Sequence, residues 1–260
     1  QKQVKKFNFN DIESLEKILK SKKCAAVMME PLSYNLPKNN FLKKVRYLCD
    51  KYKSILIFDE ICSGFRVNIG GAQKLYNVKP DLSTFGKGIA NGMPLSVLVG
   101  KKSIMKNLSK IFYSGTFYGE TLSIISAIST IRYMKKNNSI KKNIIKGKEL
   151  KNRLDNLIKK FELQSFLEIS GHPSWLFVKA ISNNSRMNEN IKNYIKQELI
   201  NNKILFIGSF NINHSTSKKD LEKIAKIFIK IFSKIKDNIY QLNKLIVIDK
   251  PKVKFAVRNK

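Results

Sequence analysis

The chain has 260 residues, enough for one large or two ordinary domains whose core needs neither disulfides nor metal. Lys and Arg total 50 against 19 Asp and Glu, a net charge of +31, yet 43% of the residues are hydrophobic and fall in periodic runs, which excludes a disordered polyelectrolyte. No apolar run approaches the length of a membrane span and the Gln1–Lys6 start carries no signal-peptide core, so a cytoplasmic protein without a membrane partner is expected.

In chain order, Asn10 supplies an N-cap with Glu13 three positions on, and Ile12, Leu15, Ile18 and Leu19 form one face of a first helix. Ala25–Met29 reads as a buried strand that ends by delivering Glu30 into a loop before Pro31. Phe41, Val45, Leu48, Cys49 and Tyr52 repeat at helical spacing, and Ser54–Phe58 is again apolar and stops at Asp59-Glu60. This strand, helix, strand order is the unit of a parallel α/β sheet, whose ligands sit beyond the carboxyl ends of the strands. Short strands are expected at 82–85 and 95–99, with Gly86-Lys87-Gly88 between them. A long helix should run from about Glu120 to Met134. After a polar break at Lys135–Ser139 another follows, with Ile140, Ile144, Leu150, Leu154, Leu157 and Phe161 inward. The break sets the domain boundary, 1–138 against 139–260. The second part reads as a smaller α/β domain with strands near 166–169, 175–181 and 204–207 and a last helix opening at Ser217 with Asp220.

His172 and His214 are the only histidines and have no Cys or His at ligand spacing, so no metal site is expected. Cys24, Cys49 and Cys62 are an odd count beside apolar residues and read as reduced core thiols. The high charge suits a basic nucleic-acid-binding protein, the rival from another class. However, the excess is nearly all Lys spread over helix surfaces, a pattern of solvated faces rather than of specific nucleic-acid readout.

Lys87 follows an apolar strand and is flanked by glycines that let a bulky group approach the backbone; local spacing leaves open whether it bears a ligand or is a turn lysine in water. Asp59 ends the neighbouring apolar run, so its carboxylate should reach the same sheet edge, unless it merely caps the following loop. An aspartate that keeps a pyridine nitrogen protonated beside a lysine that carries an aldehyde is the pair pyridoxal phosphate requires, and Ile61, two beyond Asp59 on the same strand face, would pack on the ring. Ser114–Gly119, ahead of the long helix, offers backbone N–H groups, a hydroxyl and a helix N-terminus as an anion cradle, or is an ordinary loop and cap.

Taken together, Met29-Glu30-Pro31, Ile57–Ile61, Ser63–Arg66, Gly70–Gln73, Pro80–Gly88 and Gly115-Thr116-Phe117 resemble the class III pyridoxal-phosphate aminotransferases, and in particular their glutamate-1-semialdehyde aminomutase-like branch. The likeness runs on through Trp175-Leu176-Phe177, Ile204–Ser209 and the Lys250–Arg258 tail. The resemblance implies a fold type I, aspartate aminotransferase-like α/β protein, here a partial large domain with a mainly parallel sheet plus the small domain. It implies pyridoxal 5'-phosphate as cofactor, Lys87 as Schiff-base lysine, Asp59 as partner of the ring nitrogen and Ile61 as ring-packing residue. It also implies that Thr116, with Gly115, binds phosphate in the neighbouring subunit of a homodimer, and that Glu30, Glu60 and Arg66 support the site. The activity implied is amino transfer between a small amino donor and a carbonyl compound, with an intramolecular aminomutase as the alternative. Thr116-Phe117-Tyr118-Gly119 favours the former, because the aminomutase tends to read Ser-Gly-Asn-Pro there. The chain starts at Gln1 and lacks the family's glycine- and serine-rich front, so a fragment of a longer protein is expected, one that alone binds cofactor poorly.

Overall fold

A computed structural model describes residues 3–21 and 23–247, which divide into two compact units. The first comprises residues up to 147 together with 171–176 and 211–215; the second comprises 148–170, 177–210 and the chain from 216. The Lys250–Arg258 tail lies outside the described residues.

The first unit is built on a four-stranded sheet in the order β1 (Ala26–Met29), β2 (Ile55–Asp59), β3 (Leu82–Phe85), β4 (Val97–Gly100). The first three strands are parallel and β4 is antiparallel, closing one edge. Strand alternation sends Val27, Met29, Leu56 and Phe58 to one face, where they pack with Leu15 and Leu19 of α1 (Ile12–Ser21) and with Val45, Leu48 and Cys49 of α2 (Phe41–Lys51). Burying Phe58 completely is worth on the order of 2–3 kcal/mol. The α1 cap differs from expectation. Asp11, not Asn10, accepts from the Ser14 N–H, while Asn10 takes a left-handed conformation and ties the 36–38 loop through Leu36 O and Lys38 N.

Asp81, just ahead of β3, fastens this sheet. Its buried carboxylate receives the Leu56 N–H, the Arg46 guanidinium at 2.7 Å and the Lys101 ammonium at 2.5 Å. Those three donors outweigh desolvation and hold the carboxyl below its usual range. The unit is completed by α3 (Gly71–Leu75), α4 (Lys102–Met105), α5 (Thr121–Lys136) and the first turns of α6 (Ser139–Lys160). Within α6, Gly147 sits so near Pro173 that a Cβ would lie 1.8 Å from the proline carbonyl oxygen; only glycine fits.

The second unit holds α7 (Ser185–Asn201), α8 (Lys218–Asn238) and residues 167–170, 177–180 and 209–210 of a sheet in the order β5 (Leu167–His172), β6 (Trp175–Ala180), β7 (Ser209–Asn211). The Ser217–Asp220 capping box forms as expected, and α8 buries Leu221, Ile224, Phe228, Ile231, Phe232 and Ile235 along one stripe. The strand expected at 204–207 does not form. Leu205 and Ile207 point into solvent, Gly208 turns the chain with φ +106° while its carbonyl accepts from the Val178 N–H, and the strand itself starts at Ser209.

Candidate active site

The parallel strands discharge their carboxyl ends at one edge, and the register fixes who meets whom. Met29 pairs with Phe58 and Asp59 with Thr84, so Glu30, Asp59 and the Gly86-Lys87 turn emerge side by side. Electrostatics agree with the register. The Glu30 carboxyl is raised above its ordinary value, chiefly by loss of hydration, although solvent still reaches it; the Asp59 charge adds to the rise and the Lys87 ammonium opposes it.

Asp59 lies on the sheet face opposite α1 and α2. One oxygen, Oδ1, accepts from the Ile61 N–H at 3.0 Å and the Thr84 hydroxyl at 3.2 Å, which holds the carboxylate at a fixed angle. Its second oxygen has no hydrogen-bond partner among the described residues. Lys87 opens a single 3-10 turn (Lys87–Ala90) with φ +45°, its side chain exposed, and the adjoining Gly88 has nothing within 4 Å of where a Cβ would stand. The amine donates to the Cys62 thiol.

Ile61 departs from expectation, because β2 ends at Asp59 and Ile61 belongs to the following turn rather than to the strand face. It is half-buried there, its side chain alongside Gly86. Glu60 points the other way and is fully buried. It accepts from Ser63 Oγ at 2.5 Å and from the Ala72 and Gln73 N–H groups at 2.8 Å each, so it anchors the 60–73 loop rather than the open face. A Cβ on Gly71 would collide with this carboxylate, and φ +74° there asks for glycine as well. Arg66 donates Nε–H to the Cys62 carbonyl and an Nη1 hydrogen to Asn211, and its guanidinium stacks 5.2 Å from the centre of the Trp175 ring.

Of the two readings of Ser114–Gly119, a loop and a helix cap are what this chain forms on its own. Glu120 caps that helix, its carboxylate accepting from the Leu122 and Ser123 N–H groups, so the donors a phosphate would use are taken by an anion of the chain itself. Gly115 and Thr116 lie in an exposed turn closed by Tyr118 N–H to the Gly115 carbonyl. Of the thiols, only Cys49 is a core residue, its acidity suppressed by burial to a pKa of about 12; Cys24 and Cys62 are half-buried. Cys62 is the neighbour that sequence reasoning missed. Its sole signal is its place three residues after Asp59, in the turn that faces Lys87.

Among the described residues there is no cluster of metal-ligating side chains and no helix long and apolar enough to cross a membrane. Residues 1–228 match the family model described as Aminotransferase class-III. The chain is 41% identical over 155 residues to the 3-aminobutyryl-CoA aminotransferase of Cloacimonas acidaminovorans (strain Evry), a match covering 56% of this chain and 37% of that protein. It is 43% identical over 136 residues to the glutamate-1-semialdehyde 2,1-aminomutase of Wigglesworthia glossinidia brevipalpis, covering 49% and 31%. Among solved structures, the PLP internal aldimine form of the Sphingopyxis sp. MTA144 FumI protein superposes with a TM-score of 0.83 at 20% identity, over 92% of this chain and 59% of that one. The matches thus span about a third of the curated relatives' length.

Proposed function

This chain belongs to the class-III aminotransferase family, and from that premise we propose that it forms the lysine-bearing part of a pyridoxal-phosphate-dependent aminotransferase. The observation that carries the proposal is the gathering of Lys87, Asp59 and Glu30 at one sheet edge, with one Asp59 oxygen still free to accept.

The residues fit the cofactor. Lys87 would hold its aldehyde, with open space at Gly88, and the free oxygen of Asp59 would accept from its ring N–H while Thr84 and Ile61 N–H keep that carboxylate oriented. Ile61 would pack against the ring from the turn. When bound, pyridoxal phosphate supplies an electron-accepting ring on which an amino group is exchanged. The chain's own part is to hold charge and move a proton. Asp59 would present its second oxygen to the ring N–H, held at that angle by the Ile61 N–H and the Thr84 hydroxyl on the first. Lys87, once its amine is free, takes a proton at Nζ from the substrate carbon and returns it. Cys62, in contact with that amine, limits the positions Nζ visits.

Thr116 and Gly115, exposed in their turn, are assigned to the cofactor's phosphate in the partner subunit of a homodimer, and a cytoplasmic location is assigned to the whole. Glu30, Glu60 and Arg66 support the site from around it. A small amino donor and a carbonyl acceptor are the substrates. The aminomutase is the second reading, favoured by the identity to the Wigglesworthia protein. The test uses the full natural chain loaded with pyridoxal phosphate. Amino donors should convert the cofactor's visible band with release of an oxo product, and Lys87→Ala should abolish the conversion. Glutamate-1-semialdehyde converted without any second substrate would establish the aminomutase instead, and a chain that neither binds the cofactor nor changes its spectrum would end both readings.

A further inference from the structure

Within the first unit, lined in part by Gly88 next to Lys87, lies a cavity of about 840 Å³. Its lining includes Cys62, the contact of the Lys87 amine, and Gly88, together with Ser139, Asn143 and His214. Its lining is rich in hydroxyl and amide groups and contains no Asp or Glu; the one fully charged side chain is Arg66. That guanidinium pairs with no carboxylate among the described residues. Of the five N–H donors a guanidinium carries, its hydrogen bonds to Cys62 and Asn211 use two. Burial, the dominant influence, weakens its hold on the proton, with the nearby Cys62 opposing, so it is a cation short of a counter-charge.

The lining of the same cavity is incomplete elsewhere too. Ser139 Oγ, Asn143 Oδ1 and His214 Nδ1 are buried atoms without a hydrogen-bond partner among the described residues. Ser139 is 2% and Asn143 9% exposed. Buried polar atoms are nearly always satisfied, so several orphans around one polar cavity mark a place that something polar fills. A desolvated cation with spare donors in the same lining specifies the charge of that occupant.

We propose that this cavity receives an oxyanion carried by the amino or oxo substrate, bound by Arg66 and surrounded by the Ser139, Asn143 and His214 cluster. The assignment deepens the aminotransferase reading and rests on it for the word substrate, but the anion site itself does not. Arg66 acts here as a binding and specificity residue, since it reaches the substrate arm and not the reacting amine. Carboxylate and phosphate ester share the recognising chemistry.

Isothermal calorimetry on the full natural chain loaded with pyridoxal phosphate separates the outcomes, with glutarate, β-glycerophosphate and neutral pentane-1,5-diol as probes. At least one anion should bind about tenfold more tightly than the diol, and the tighter of the two identifies the oxyanion. Arg66→Gln should weaken it by about tenfold or more, and so should Asn143→Asp, which keeps the shape of the side chain while placing a negative charge in the cavity. The isosteric variant stands in if loss of the Trp175 contact unfolds Arg66→Gln. Anion binding no stronger than that of the diol, or unchanged in Asn143→Asp, would overturn the proposal. The visible band is read in the same samples, so a failure of the cofactor assignment shows separately from a failure of the anion site.

Discussion

On the face of the β1–β4 sheet that meets α1 and α2, Leu56 and Phe58 are fully buried. On the opposite face Ile57 and Asp59 are half-open, and Met28 is 57% exposed. Parallel sheets are ordinarily covered on both sides, so the second face is the one that still meets other atoms. Alternation along a single strand thus assigns packing to even positions of β2 and chemistry to odd ones. Glu60 sharpens the contrast with its neighbour: Asp59 keeps a free oxygen on the open face, whereas Glu60 spends both oxygens on Ser63 and the start of α3. Stability and amine chemistry should therefore be separable by mutation.

The largest separation is expected at Lys87. Replacing it with Ala should lower amine transfer by at least about 10³-fold while thermal melting stays within the range of a surface change, because the side chain is exposed. Phe58→Ala is the mirror experiment. Urea unfolding should show a loss of about 4 kcal/mol, whatever the cofactor content.

Next comes Asp81→Asn, which leaves Arg46 and Lys101 without their shared carboxylate and should cost about 3 kcal/mol near neutral pH. The sign of its pH dependence is fixed. The folded carboxyl titrates below the ordinary 3.8, so its contribution is complete above that value and disappears as pH falls through the lower, folded one. Wild type and variant should converge in acid; a gap that widens on acidification would contradict the network. The smallest effect is kinetic. Iodoacetamide should label half-buried Cys62 well before Cys49, whose thiol burial drives to about 12, and cofactor loading should slow labelling at Cys62 alone, as read by peptide mass.

Much of the reactive edge was legible because parallel topology is itself a rule of placement. Apolar runs ending in Glu30, Asp59 and Gly86-Lys87 leave the sheet on the same side whatever their separation in sequence. Details that depend on hydrogen-bond competition were not legible. Ser114–Gly119 reads as a cradle only while the α5 N-terminus is free, and whether Glu120 turns back to cap it is settled by rotamer and register. Ile204–Ile207 has strand composition, but Gly208 moves the pairing past it. Ser139 and Asn143 share a face of α6, but His214 meets the same cavity from far beyond that helix in sequence and nothing local announces it; a close approach such as Gly147 to Pro173 is equally silent in sequence.

The account turns on which of the many lysines carries the cofactor. Sodium borohydride reduction of the full chain loaded with pyridoxal phosphate, followed by peptide mapping, reads this directly. The phosphopyridoxyl mass should appear on Lys87, and the Asp59→Asn variant should show it at lower occupancy. A mass spread over surface lysines, or absent from Lys87, would contradict the central claim.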